Sequence, residues 1–307
     1  TYTTPRTLRH RIRIGTSVFY FLRMVTYRIR YEAGNSYQHV VQEALFEFLV
    51  LPCENSTQAI KEVEVTNSLN RPVFRAKNPF GYDILCFRVD EPFTYLGFTA
   101  ACLVEKQENI LPSVEESLSQ EEEQQVLQSE DFLVDHYLHI MPTDLTRLPE
   151  GQIPETLLYR KDQPLFSYIN YLNQSIYGMM EYQSGVTTFT TPATEVLANP
   201  RGVCQDYAHL MLGILRQQEL PCRYVSGYLN QNEEQAMIGS AQTHAWLEAF
   251  VPNIGWVGFD PTNNRMADEH HIKIADGLDY RDCSPLKGHI RPGVINQTDH
   301  IVHVVEQ

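Results

Sequence analysis

The sequence predicts an α+β chain in which an antiparallel β-sandwich precedes a domain of mixed helices and strands. Three observations carry that expectation. Period-two strands with no good helix between them fill the stretch from residue 24 to about 106. An abrupt change to Glu, Gln and Ser over 113–130 divides the chain. Beyond residue 150, helical stripes and alternating strands are mixed.

Met24 opens "MVTYRIRYEA", which already reads as a strand, so residues 1–23 are expected to be an extension outside the fold. In "TYRIRYEA" the residues Tyr27, Ile29 and Tyr31 alternate with Thr26, Arg28 and Arg30, the pattern of a half-buried strand. The segments "QEALFEFLVLP", "AIKEVEVTNSL", "FGYDILCFRVD" and "YLGFTAACLVEK" follow, parted by turn material such as Asn70-Arg71-Pro72. Short strands at this spacing predict an antiparallel sandwich over 24–110. Residues 111–150 read as an acidic linker or a solvated helix, and 151–307 as the second domain. There, "PLFSYINYLNQSIYGMM" places Phe166, Ile169, Leu172 and Ile176 on one helical stripe. Strands are expected at 222–229, 244–251 and 255–262, the last two joined by the turn "PNIG".

Composition narrows the function. At 307 residues the chain holds two ordinary domains, and 43% hydrophobic content supplies their cores. A formal net charge of -14 repels nucleic acid and anionic membrane. Arg6, Arg9, Arg11, Arg13, Arg23, Arg28 and Arg30 crowd the start, but without a basic-aromatic RNA motif they read as a solvated arm. Six widely spaced cysteines with no CxxC pair fit neither a disulfide scaffold nor a zinc ribbon. No apolar run approaches membrane-spanning length, and "SVFYFL" is too short for a signal core. The expectation is a cytoplasmic protein that binds neither membrane nor nucleic acid.

The chemistry centres on "NPRGVCQDYAHLMLGILRQQ" (199–218), where Cys204 follows a Pro-Arg-Gly turn and opens an apolar helix. Cys204 shares a stripe with Ala208, Met211, Leu212 and Leu215, so it can be core filler. Three features favour a nucleophile instead. The partial positive charge and free N–H groups of a helix start favour an anionic sulfur, and Gly202 leaves it approachable. His244, in "THAW", begins a strand with no structural need for imidazole. Asp260, in "GFDPT", ends the partner strand. A four-residue loop at 252–255 would set Asp260 opposite Leu247, roughly 10 Å along the strand from His244, so a bulge or another register is needed for contact. If the three meet, His244 takes the thiol proton and Asp260 fixes the imidazole tautomer. The thiolate then attacks an amide carbonyl, with helix-start N–H groups, that of Cys204 included, holding the oxyanion.

The segments "RGVCQDYAHLMLGILRQQELPCRYVSGYL", "THAWLEAFVPNIGWVGFDPTNN" and "DGLDYRDCSPLKG" are similar to the bacterial transglutaminase-like cysteine peptidases of the papain-like transglutaminase superfamily. The resemblance spans about 165–290, and the β region resembles the domain that often precedes this core. It implies a papain-like core with Cys204 as nucleophile, His244 as base and Asp260 as orienting acid, and no cofactor or calcium. By the same resemblance, Tyr182 is the candidate second oxyanion donor, with core packing as its alternative. Tyr228, Trp246 and Trp256 either line a cleft or fill the core. Asp206 either attracts a basic substrate group or answers the positive end of the helix.

His270-His271 lacks further ligands at metal spacing and reads as surface or packing histidines; no metal is expected. The expected activity is a hydrolase, a peptidase or amidase acting through a thioester on peptide or protein amides. One alternative is a protein-glutamine transglutaminase. Another is a binding module in which the β domain engages a protein partner.

Overall fold

The computed structural model describes residues 23–109, 111–230, 237–239, 242–293 and 295–307, together with two short strands before them. Those two strands, β1 (Arg11–Ile14) and β2 (Ser17–Tyr20), pair with each other and with no other strand among the described residues. The rest of the expected N-terminal extension, up to residue 22, lies outside the described residues.

The alternation in "TYRIRYEA" is realised in β3 (Met24–Val41), where Tyr27, Ile29, Tyr31 and Ala33 are buried while Arg28 and Arg30 face solvent. β4 (Glu43–Phe48), β5 (Gln58–Asn67), β6 (Phe74–Lys77), β7 (Asp83–Val89) and β8 (Phe93–Gln107) follow. The inner faces of the two sheets meet through aromatic rings. Phe48 of β4 stacks on Phe98 of β8 with centroids 3.7 Å apart, and Phe87 of β7 lies 6.0 Å from both.

The acidic segment is not a free linker. It folds into α1 (Gln120–Leu127), α2 (Glu130–Asp135) and α3 (Tyr137–Ile140). Buried Glu123 accepts the Leu165 N–H at 3.0 Å and so caps α4 (Leu165–Met179), whose predicted stripe of Phe166, Ile169, Leu172 and Ile176 is buried. Phe132 of α2 is also buried. A parallel pair of two-residue strands, β9 (Glu181–Tyr182) and β10 (Arg201–Gly202), brackets α5 (Ala193–Ala198).

α6 (Cys204–Arg216) is buried on all sides from Gln205 to Arg216, which a single apolar stripe does not predict. Its buried charge is matched at Arg216, whose guanidinium donates to His139 O, Thr146 Oγ1 and Cys222 O at 3.0–3.2 Å. β11 (Cys222–Leu229), β12 (His244–Val251), β13 (Gly255–Asp260), β14 (Arg265–Met266) and β15 (His271–Gly277) form an antiparallel sheet in the order β14-β13-β12-β11-β15.

The chain ends with α7 (Tyr280–Cys283), β16 (Leu286–Arg291) and β17 (Asn296–Glu306). These last strands correct the expected 151–307 boundary. β16 pairs with β4 and β17 with β3, completing sandwich sheets of order β16-β4-β7-β6 and β17-β3-β8-β5. The sandwich therefore contains both early and late segments, and the second domain is inserted between them. A buried amide stitches the two together: Gln58 exchanges hydrogen bonds with the Lys273 backbone, at 2.7 Å to its carbonyl and 3.1 Å from its N–H. No described helix is long and apolar enough to cross a membrane.

Candidate active site

The β12–β13 turn decides where Asp260 points. Val251 pairs with Gly255, so the loop holds three residues rather than four, and Asn253 and Gly255 take positive φ. The register Leu247↔Phe259 then carries Asp260 to a place opposite Trp246, two residues from His244 and on the same face. Across that diagonal the side chains meet: His244 Nε2 donates to Asp260 Oδ2 at 2.9 Å, with both side chains fully buried. No bulge is needed.

The thiol of Cys204 acts on the imidazole through its charge, together with that of Asp260. Nδ1 has no hydrogen-bond partner among the described residues. Burial alone would push the His244 pKa down. The charges of Asp260 and Cys204 and the hydrogen bond to Asp260 override it and raise the imidazole to about 10. Burial likewise opposes ionisation of Asp260, yet His244 and His271 hold its carboxyl far below the usual carboxylate range. Both backbone N–H groups of Thr262 and Asn263 donate to Oδ1, at 3.0 and 3.2 Å, and Asn263 Nδ2 donates to Oδ2 at 2.7 Å.

Gly202 explains how the thiol's helix is started. A Cβ there would lie 2.3 Å from Asp206 Oδ2, so glycine alone lets that carboxylate fold back. Oδ2 accepts the Val203 N–H and the Thr187 hydroxyl, each at 2.7 Å. Asp206 is completely buried, which makes it the cap of α6 and not a contact for a basic substrate group.

A second glycine crosses the histidine. Gly239, at φ +97°, brings its backbone so near His244 Nδ1 that a Cβ would sit 2.4 Å away. The Gly239 backbone thus closes one side of the ring.

The remaining expectations divide. Tyr182 stands half-buried beside β10; burial, followed by the nearby charges of Cys204 and Asp206, pushes its pKa up to about 12. It is a neutral hydroxyl near the sulfur. Tyr228 is fully buried and donates to Val50 O at 2.7 Å, so it ties the second domain to the sandwich and lines no cleft. Trp246 is buried with its ring stacked 6.3 Å from His244, a packing wall behind the imidazole. Trp256 sits at the opposite end of the hairpin, paired with Phe250, under the Arg223 guanidinium and against His139. Neither Tyr228 nor Trp246 forms an open substrate wall, and Trp256 lies away from His244.

Sequence reasoning missed Tyr280 and His271. Tyr280 lies close enough to Cys204 for the sulfur's charge to raise its pKa, after burial. Its N–H donates to His209 Nε2 at 3.2 Å, and burial holds that histidine neutral at about 4. His271, expected at the surface or in packing, is buried with its Nε2 3.3 Å from Asp260 Oδ2. No cluster of His, Cys, Asp and Glu suited to a metal occurs among the described residues.

With this geometry established, comparison with known proteins is informative. Residues 153–261 match the family model described as the transglutaminase-like superfamily. This segment is a transglutaminase-like domain. An uncharacterised Mycobacterium tuberculosis protein is 36% identical over 158 residues, covering 49% of this chain and 50% of that one. The chain thus spans about half the length of that relative. A protein-glutamine gamma-glutamyltransferase of Pseudomonas aeruginosa is 37% identical over 82 residues, 25% of this chain and 12% of that protein. Among solved structures, a provisionally assigned cysteine protease of Cytophaga hutchinsonii superposes with a TM-score of 0.74, covering 92% of this chain and 91% of its own. At 19% identity that likeness concerns the fold, and it extends over the sandwich as well as the transglutaminase-like domain.

Proposed function

We propose that the chain is a cysteine-dependent acyl-transfer enzyme that delivers the acyl group to water, a peptidase or amidase. The observation that carries this reading is the buried His244–Asp260 contact, with Cys204 near enough for its charge to act on the imidazole. Such a ring keeps its proton at neutral pH and pairs with a thiolate.

The thiolate attacks the amide carbonyl and forms the carbon–sulfur bond, and the carbonyl electrons move onto oxygen. First-turn N–H groups of α6, unused by the helix itself, and the neutral Tyr182 hydroxyl are the donors for that oxyanion. As the tetrahedral centre collapses, His244 gives its proton to the departing amine. Water then adds to the thioester, with neutral His244 taking its proton. The carbon–sulfur bond breaks, and the carboxylic acid and the thiolate–imidazolium pair are regenerated.

The Pseudomonas aeruginosa relative supports a second reading, in which a primary amine takes the place of water. Both share every step up to the thioester. Incubating the protein with a peptide-amide library, with and without an excess of a primary amine, separates them by mass spectrometry. Cys204-dependent release of free acid in the presence of amine is the expected result. Exclusive amide exchange would favour the transglutaminase, and no Cys204-dependent product of either kind would leave a binding module.

A further inference from the structure

Asp260 has a third side-chain partner beyond the expected triad. His271 opens β15, at one edge of the five-stranded sheet, while Asp260 closes β13, with β12 and β11 lying between the two strands. Their 3.3 Å contact spans the end of the sheet with both side chains fully buried. Trp246 packs against both histidines, its ring edge-on to His271 at 5.3 Å and stacked on His244. On its other side, His271 Nδ1 lies 3.0 Å from Asp268 Oδ1 and 3.2 Å from the Asp268 backbone N–H. Asp268 is in turn ion-paired with Arg265.

We propose that His271 is a positioning residue for this site: its Nε2–H fixes the Asp260 carboxylate that orients His244, and Asp268 fixes His271. The inference rests on the Cys204–His244–Asp260 reading above.

Elementary hydrogen-bond accounting sets the direction of the contact. An ionised carboxylate only accepts, so Nε2 of His271 carries the proton whether the ring is neutral or charged. A neutral ring satisfies Nδ1 with the Asp268 N–H, and a charged ring satisfies it with Asp268 Oδ1. Either way Asp268 holds the ring's orientation. Asp260 Oδ1 is already committed to backbone donors, so Oδ2 is the oxygen whose place is set by His244, Asn263 and His271 together.

The ionisable groups facing the ring are therefore Asp260 from β13, His244 beyond it, and Asp268 with Arg265 from the β14 segment. From the sandwich, Tyr27 and Lys106 interact electrostatically with Asp268. No metal is needed to explain the cluster, and a polar side chain buried this deeply would be costly without such partners.

Two amide substitutions separate the ring's two contacts. His271→Gln keeps a donor where Nε2 stands, and His271→Asn keeps one only where Nδ1 stands. The measurement is the rate of iodoacetamide alkylation of Cys204 at pH 6, with melting temperature as the control for folding. His271→Gln is expected to stay near the wild-type rate, and His271→Asn to fall about tenfold or more, the scale on which outer partners of functional histidines act. Equal rates in the two variants, whether both unchanged or both reduced, would overturn the assignment. If neither variant folds, nitrogen NMR of wild-type histidines decides: a proton on Nε2 of His271 is required, and one on Nδ1 alone contradicts the proposal. Failure of the underlying reading looks different, because wild-type Cys204 would then alkylate no faster than in His244→Ala.

Discussion

His244 and Asp260 meet at 2.9 Å because a three-residue turn, one shorter than the pattern suggested, brings Asp260 opposite Trp246. One residue of loop length is the difference between a diagonal pair within side-chain reach and two groups that cannot touch. The contact also explains the electrostatics, since each group's ionised form is held by the other in a place that burial alone would neutralise.

Asp260→Asn is expected to retain the fold, because the amide oxygen can still accept from the Thr262 and Asn263 N–H groups. Turnover should fall by about 10³–10⁴, as when the orienting acid of a serine triad is amidated. Steady-state kinetics on any amide substrate found for the wild type checks this, and unchanged turnover would leave Asp260 a structural carboxylate.

The His244 proton makes stability depend on alkaline pH in a definite sense. Its pKa is raised from 6.5 to about 10 by folding, so the native state holds this proton more tightly than the unfolded chain. That contribution is full below pH 6.5 and is lost as pH rises through about 10. Denaturant unfolding between those limits should show a falling contribution in the wild type that His244→Gln lacks. Identical slopes in the two proteins would contradict the charged imidazole.

Gly202→Ala tests the start of the thiol helix. Its Cβ would overlap Asp206 Oδ2 and displace the cap. A loss of about 1–3 kcal/mol is expected from overpacking at such a site. Equilibrium unfolding measures it, and wild-type stability would show that Asp206 yields at no cost.

Much of this site was legible in the sequence because its signals are local. A thiol after Pro-Arg-Gly, a histidine opening a strand and an aspartate before Pro261 each carry their meaning within a few residues. The β-sandwich was legible for the same reason, through the alternation of Tyr27, Ile29 and Tyr31. What escaped depends on distant parts of the chain. β16 and β17 return to β4 and β3 across more than two hundred residues, and no local pattern marks a strand's partner. His271 meets Asp260 only because the segment from β13 to β15 carries the chain past β12 and β11 to the far edge of the sheet. Asp206 and Tyr228 had the right residue types for binding, but burial turns them into a helix cap and a domain tie.

The most direct test of the central claim is iodoacetamide labelling of the folded protein at pH 6, located by mass spectrometry, in wild type and His244→Ala. Burial pushes the thiols of Cys53, Cys86, Cys102, Cys222 and Cys283 up, so none of these competes at that pH. Rapid labelling of Cys204 that disappears in His244→Ala is the predicted result. Slow labelling, or labelling indifferent to His244, would contradict an activated Cys204–His244–Asp260 nucleophile.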